Sequence, residues 1–330
     1  MRQKHIGLVH YLCGARRTRG RRRKAMEKEW LLETRQMTKQ YGKHKAVDRV
    51  NLHVTQGAIY GLIGRNGAGK TTILRMISGL ASPTQGDYTI FGKASGQAAM
   101  ERTRVGALIE EPGIYPDMTA RQNLKVKCLA MGVRREGYIE ELLQTVGLAD
   151  TGKKKARNFS LGMRQRLGIA LALVGDPDLL ILDEPINGLD PQGFVEVRET
   201  MMKLNKEKHI TIVISSHILE ELSKFATHYG IIHNGALLEE LTREELLEKC
   251  CERIELKTND TGRACTVIET LGIRNYQVKD EYTIHIFERL EDSGDITMAL
   301  AKADVKVLGI AVNSESLEEY FLNLTGGGRS

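Results

Sequence analysis

Residues 58–80 read AIYGLIGRNGAGKTTILRMISGL: a short apolar run, a glycine-rich turn and a helical run in direct succession. Gly64, Gly69, Lys70 and Thr71 fit the spacing G-x-x-x-x-G-K-[ST], in the strand-to-helix setting that the motif requires. Gly64, Gly67 and Gly69 let backbone N–H groups curl around a β-phosphate. Lys70 reaches the β- and γ-phosphates, and the Thr71 hydroxyl suits Mg²⁺. A flexible glycine turn carrying a solvated lysine is the plain alternative, but it gives no reason for the flanking strand and helix. The stretch predicts an α/β fold of the P-loop nucleotide-binding kind.

Two later strands end in groups that the same chemistry needs. DLLILDEP, residues 178–185, is an apolar strand closed by two carboxylates and a proline. Asp183 is placed to hold the water shell of Mg²⁺, and Glu184 to polarise an attacking water. Acidic pairs also cap strands without any chemistry; the phosphate loop upstream decides between the two readings. TIVISSHILEEL, residues 211–222, delivers His217 at the C-terminal end of a β-branched strand. Open parallel sheets place their ligands at that edge, so His217 is expected to contact a γ-phosphate.

A second anion-binding feature lies far from the first. In NFSLGMRQRLG, residues 158–168, Ser160 can cap a helix, Gly162 lets a ligand come close, and Arg164 and Arg166 follow. A helix N-terminus offers unpaired N–H groups and a positive dipole end, enough for part of a triphosphate but not for a whole one.

The ordered set of motifs over residues 30–243 resembles the nucleotide-binding subunits of ATP-binding cassette (ABC) transporters. GRNGAGKTT looks like the Walker A loop, LLILDEP like the Walker B strand, and NGLD, ending at Asp190, like the D-loop. The resemblance implies that Asn66, Ala68 and Thr72 join Gly64, Gly67, Gly69, Lys70 and Thr71 around ATP. It also implies that Glu184 is the catalytic glutamate, His217 the switch histidine and Tyr41 the aromatic ring stacked on adenine. FSLGM is similar to the signature segment, which in that family caps the γ-phosphate held by a second ATP-binding subunit, identical or different. The anion at Ser160 and Gly162 thus belongs to a neighbour.

Two features depart from the common family pattern. Leu161 and Met163 stand where the usual signature has a further glycine and a glutamine. The loop after VGALI reads EEPGIYP, placing Glu110 where a metal-binding glutamine is usual. Both departures, and the C-terminal SLEEYFLNLTGG, resemble transporters of the bacitracin-resistance and lantibiotic-immunity type. The resemblance implies ATP and Mg²⁺ as cofactors, with Thr71, Asp183 and Glu110 as metal-side residues. It implies a separate multi-span permease as partner, export of an antimicrobial peptide or antibiotic, and a place on the cytoplasmic face of the membrane.

Composition agrees with an engine that lacks its own channel. The chain has 330 residues, 41% of them hydrophobic, enough for one large domain and a small one. Its apolar runs, such as LGIALALV, fall far short of the roughly 18–20 residues of a membrane span. The net charge of +6 suggests nucleic acid, but residues 1–25 carry nine basic residues and no acidic one. The rest has 39 basic residues against 42 acidic ones, so no nucleic-acid partner is expected. IGLVHYL precedes RRTRGRRRK, the reverse of a secretory signal. Residues 1–29 are read as an extension, disordered or non-native, with a native start at Met26. The five cysteines show neither zinc spacing nor a paired framework and are read as reduced thiols.

Around the motifs, residues 30–55 and 86–92 are expected to form a small β-subdomain, and about 117–174 a helical subdomain. The latter would start on a capping box at Thr119 and Gln122. In PGIYPDMT, residues 112–119, Ile114 and Tyr115 could grip a partner's helix; a rigid surface turn is the alternative. Residues 244–330 are read as a separate α+β unit in the order β-α-β-β-α-β, ferredoxin-like, closed by a helix near 315–324. His285 there is a strand-face residue. The rival functions are a soluble cassette ATPase acting on nucleic acid or ribosomes, a module that binds ATP without hydrolysing it, and a small-molecule kinase. Neither a long coiled-coil insertion nor a second cassette is present for the first. Glu184 and His217 argue against the second, and FSLGM and NGLD against the third.

Overall fold

The computed structural model describes residues 30–97, 101–250, 252–313 and 316–326. The expectations for the tail over residues 1–29, for a start at Met26 and for Cys13 and Cys251 lie outside them. Two compact units divide the chain, one ending at Arg243 and the other opening at Glu244.

The first unit opens with β1 (Trp30–Tyr41), β2 (His44–Val50) and β3 (His53–Thr55), followed by β4 (Ile59–Ile63) and α1 (Lys70–Ile77). Then come β5 (Gln85–Ile90) and β6 (Lys93–Ala94). β1 is the hub of an antiparallel sheet, pairing β2, β3 and β5, with β6 beyond β5. It buries Leu31, Leu32, Thr34, Met37 and Thr38 and exposes Arg35, Gln36, Gln40 and Tyr41, as in a sheet with one wet face.

The chain continues through β7 (Val105–Leu108), α2 (Ala120–Ala130), α3 (Tyr138–Thr145) and α4 (Leu161–Ala172). β8 (Leu179–Leu182), α5 (Pro191–Lys208), β9 (Thr211–Ser216), α6 (Leu219–Ser223), β10 (His228–His233) and β11 (Ala236–Thr242) complete the unit. Among the described residues the central sheet runs β11-β10-β4-β9-β8-β7, parallel except for the edge strand β11. Every residue of β4, β8 and β9 is buried, which is why these strands read as continuous apolar runs. Parallel pairing sends their C-terminal ends to one edge: Ile63 lies opposite Ser216, and Leu182 opposite Ile214.

Helices α2 to α4 are the expected helical region. Thr119 and Gln122 form the full capping box of α2, each side chain bonding the other's backbone N–H. α3 ends one residue before its C-cap Val146, and Gly147 follows with a φ of 65°. There Arg166 of α4 bonds the Val146 and Gly147 carbonyls, satisfying acceptors that a helix end leaves open.

α7 (Arg243–Lys249), whose first residue closes the first unit, leads into the second, which holds β12 (Arg253–Thr258), α8 (Thr261–Thr270), β13 (Tyr276–Val278) and β14 (Thr283–Ile286). α9 (Ser293–Lys302), β15 (Val307–Asn313) and α10 (Leu317–Leu324) follow. Its antiparallel sheet has the order β13-β14-β12-β15, the split arrangement of a ferredoxin-like fold. Ile254, Leu256, Ile268, Ile284, Ile286 and Leu300 form its core. His285 lies on a strand face 4.0 Å from Glu255, and burial holds its pKa below the ordinary histidine value. Cys128 and Cys265 are free thiols, both pushed up by burial.

One glycine fixes the distance between the helical region and the sheet. A Cβ at Gly106 of β7 would stand 2.1 Å from the Ala172 carbonyl oxygen at the end of α4. Gly106→Ala must push that helix end away, and overpacking of this kind costs about 1–3 kcal/mol. Urea unfolding should show a lower midpoint at unchanged slope; an unchanged midpoint would mean that α4 yields freely.

Candidate functional site

The loop after β4 is held between two strands. A Cβ at Gly64 would lie 2.5 Å from the Ile232 carbonyl of β10, and one at Gly69 2.6 Å from the Ala46 carbonyl of β2. Gly67 and Gly69 also take positive φ, 80° and 107°, where a side chain is strained. Gly235 donates to the Ala68 carbonyl at 2.9 Å, pinning the turn from outside. Asn66 and Gly67 are exposed at the tip, Ala68 is buried, and Thr72 is half-buried on the first turn of α1.

Lys70, only 5% exposed, turns back over this loop. Its ammonium donates to the Gly64 carbonyl at 2.6 Å and the Arg65 carbonyl at 3.3 Å, and sits 3.1 Å from Glu184 Oε1. Glu184 Oε2 faces His217 Nδ1 at 2.9 Å. Glu184 therefore lies between the lysine of one strand end and the histidine of another. Its φ of 46° is left-handed, an uncommon state for a side-chain-bearing residue and one that concentrates at functional sites.

Asp183 is 6% exposed. Thr71 Oγ1 donates to its Oδ2 at 2.8 Å, and Ser215 Oγ donates to its Oδ1 at 2.6 Å. Ser215 also accepts from the Glu184 N–H at 2.9 Å, so one buried hydroxyl fixes both carboxylate residues. Sequence reading missed Ser215; the available signal was two consecutive serines inside an otherwise apolar strand. A buried carboxylate beside a hydroxyl is a set of hard oxygen donors, and its negative charge is met among the described residues only by hydroxyls within bonding distance. That donor set fits Mg²⁺.

Glu110 is engaged by α1. It follows β7 with a φ of 64°, its side chain is 58% exposed, and its Oε1 pairs with Arg75 Nη2 of α1 at 2.5 Å. Tyr41 ends β1 with its ring 48% exposed and the Lys39 ammonium 5.2 Å from the ring centroid. Ser160 is the N-cap of α4, accepting from the Met163 N–H at 3.2 Å. Asp190 is the N-cap of α5, accepting from Gly193 at 3.1 Å.

Gly162 is buried on the first turn of α4, where a Cβ would lie 3.4 Å from the Gly193 Cα at the start of α5. Tyr115 is 53% exposed, whereas Ile114 is half-buried. The loop carrying them is clamped by Asn123, which accepts from the Tyr115 N–H at 2.7 Å and donates to its carbonyl at 3.1 Å. It walls a cleft of about 270 Å³, lined also by Pro112, Lys127, Ala130 and Leu171.

Comparison with known proteins gives this arrangement its family. Residues 47–187 match the ABC transporter family model. The chain is 43% identical over 300 residues to the bacitracin transport ATP-binding protein BcrA of Bacillus licheniformis, covering 90% of this chain and 98% of that one. It is 42% identical over 208 residues to the lantibiotic transport ATP-binding protein SrtF of Streptococcus pyogenes, covering 63% and 89%. Among solved structures, an ATP-binding subunit of an ABC transporter superposes with a TM-score of 0.58 at 30% identity, over 66% of this chain and 92% of that one. An ATP-binding cassette in its ADP conformation gives 0.61 at 24% identity, a likeness of fold, over 67% and 94%.

Ser215 is the residue whose removal most directly tests the cluster. Ser215→Ala leaves Asp183 short of one donor and the Glu184 N–H without its acceptor. The loss should be about 1–3 kcal/mol of stability in chemical unfolding. A stability equal to wild type would show that water replaces the hydroxyl at no cost.

Proposed function

The chain belongs to the ATP-binding subunits of ABC transporters, and we propose that it is an ATPase whose site, shared with a second such subunit, drives a separate multi-span permease. The observation that carries this reading is the convergence of Lys70, Thr71, Asp183, Glu184 and His217 at the ends of three adjacent parallel strands.

In this scheme the loop from Gly64 to Thr72 wraps the triphosphate, with Lys70 on the β- and γ-phosphates and Tyr41 against the adenine. Thr71 and Asp183 hold Mg²⁺, with Glu110 as a further oxygen on that side. When bound, the ion neutralises phosphate charge and orients the transferred group. As Lys70 turns to the phosphates it leaves Glu184 Oε1, while His217 keeps Oε2 in place. Glu184 then accepts a proton from the water that attacks the γ-phosphate, and His217 contacts the departing phosphate. Ser160 and the N–H groups at the start of α4 cap the γ-phosphate of the second subunit, donors aimed where charge develops. Asp190, at the start of α5, lies beside that interface.

The permease docks in the cleft beside Tyr115, whose ring is available to an inserted helix. No helix of the described residues is long and apolar enough to cross a membrane. In this scheme the subunit works from the cytoplasmic face through its partner. The names of the relatives BcrA and SrtF, a bacitracin transport and a lantibiotic transport ATP-binding protein, support an antimicrobial peptide or antibiotic as the cargo, and export is the direction we propose. The second unit, residues 244–330, is an accessory domain without a catalytic set of its own.

Glu184→Gln tests chemistry and assembly together. The amide keeps the shape of the site but cannot take the proton, so turnover should fall by about a hundredfold or more. ATP should bind and the protein should accumulate as a dimer by light scattering. A strictly monomeric variant in saturating Mg-ATP, or one that turns over normally, would contradict the scheme.

A further inference from the structure

The ion pair between Arg75 and Glu110 has no role in that scheme. We propose that Arg75 is a positioning residue that neutralises Glu110 and holds its carboxylate off the triphosphate until a divalent cation is in place. The inference rests on the reading of Glu110 as a residue on the metal side of the site.

Two observations lead there. First, the pair is close, at 2.5 Å, yet it is open to solvent, with Arg75 39% and Glu110 58% exposed. An ion pair this exposed contributes little to folding stability, so its consequence is where the carboxylate points. Second, Arg75 and Thr71 are four residues apart on α1 and share a helix face. Glu110 is thereby offered two positive partners along one face, the guanidinium and the cation at Thr71.

Electrostatics supplies the reason for such a device. A carboxylate where a neutral amide is usual adds a full negative charge beside a triphosphate. At a separation of a few ångströms this repels metal-free nucleotide, and it becomes an attraction once a cation lies between them. Pairing with Arg75 cancels the charge in the first case. In the second, the carboxylate exchanges the guanidinium for the metal. The left-handed backbone of Glu110, φ 64°, sets this carboxylate at the turn out of β7, next to the strand that ends in Asp183.

Equilibrium binding of a ribose-labelled fluorescent ATP analogue, in EDTA and in excess Mg²⁺, tests the inference without requiring turnover. In EDTA, Arg75→Gln should weaken binding by about threefold to fivefold, because Glu110 is no longer neutralised. In Mg²⁺ the difference should shrink to within about twofold, the cation having taken over the carboxylate. Adding Glu110→Gln to Arg75→Gln should restore the EDTA affinity to that of Glu110→Gln alone. Arg75→Lys, which keeps the charge and is a milder change to the helix, should stay within about twofold of wild type in EDTA. A double variant as weak as Arg75→Gln would overturn the proposal, since Arg75 would then act on the nucleotide itself. So would an Arg75→Gln protein that binds like wild type in EDTA. Failure of the underlying site is separately visible: wild-type binding unaffected by Lys70→Ala would remove the nucleotide from this loop altogether.

Discussion

A buried carboxylate sets the terms for the rest of the cassette. Asp183 is 6% exposed at the end of an apolar strand, and an anion in that position is costly unless it is hydrogen-bonded. Thr71 and Ser215 meet it from opposite sides at 2.8 and 2.6 Å. For Thr71 to arrive, the loop from Gly64 must turn within six residues and α1 must start at Lys70. For Ser215 to arrive, β9 must lie between β4 and β8, as the sheet order has it. The same two demands bring Lys70 to one oxygen of Glu184 and His217 to the other. Sheet order, loop geometry and the reacting groups are thus consequences of one electrostatic requirement.

The helical region answers a different constraint, close approach. α4 and α5 meet at Gly162 and Gly193, and Gly193 also allows Asp190 to cap α5 at 3.1 Å. The helix that begins at Ser160 and the helix that begins at Asp190 are therefore locked at their N-terminal ends, which are the ends with open N–H groups and positive dipole. Arg166 adds an ion pair to Glu196 of α5 at 2.9 Å while bonding the end of α3. A partner that moves either helix start must move both.

Much of this was legible in the sequence, because its causes are local. Gly64, Gly67 and Gly69 announce a loop that only glycine can follow, the runs IYGLI, LLIL and TIVISS announce strands buried on both faces, and Thr119 with Gln122 announces a helix start. The order β-α-β-β-α-β expected for residues 244–330 is that of β12, α8, β13, β14, α9 and β15, with β13 and β14 joined through the Asp280 turn. What was hidden depends on tertiary neighbours. Ser215 gains its part only from Asp183 beside it, across two strands. Gly162 meets Gly193 of a helix about thirty residues on. Arg75 and Glu110 are brought together only by the turn after β7. Polar pairs formed between distant segments leave no periodicity to read.

The central claim is that the start of α4 in one subunit completes the nucleotide site of another. Oxidative cross-linking tests it most directly, using a mixture of two proteins with one cysteine each, Asn66→Cys in one and Ser160→Cys in the other, both with the native cysteines replaced and both carrying Glu184→Gln. Mg-ATP should produce a covalent dimer containing one copy of each, and little of it should form with Mg-ADP. Absence of that mixed dimer in Mg-ATP, or its formation regardless of nucleotide, would contradict the shared site.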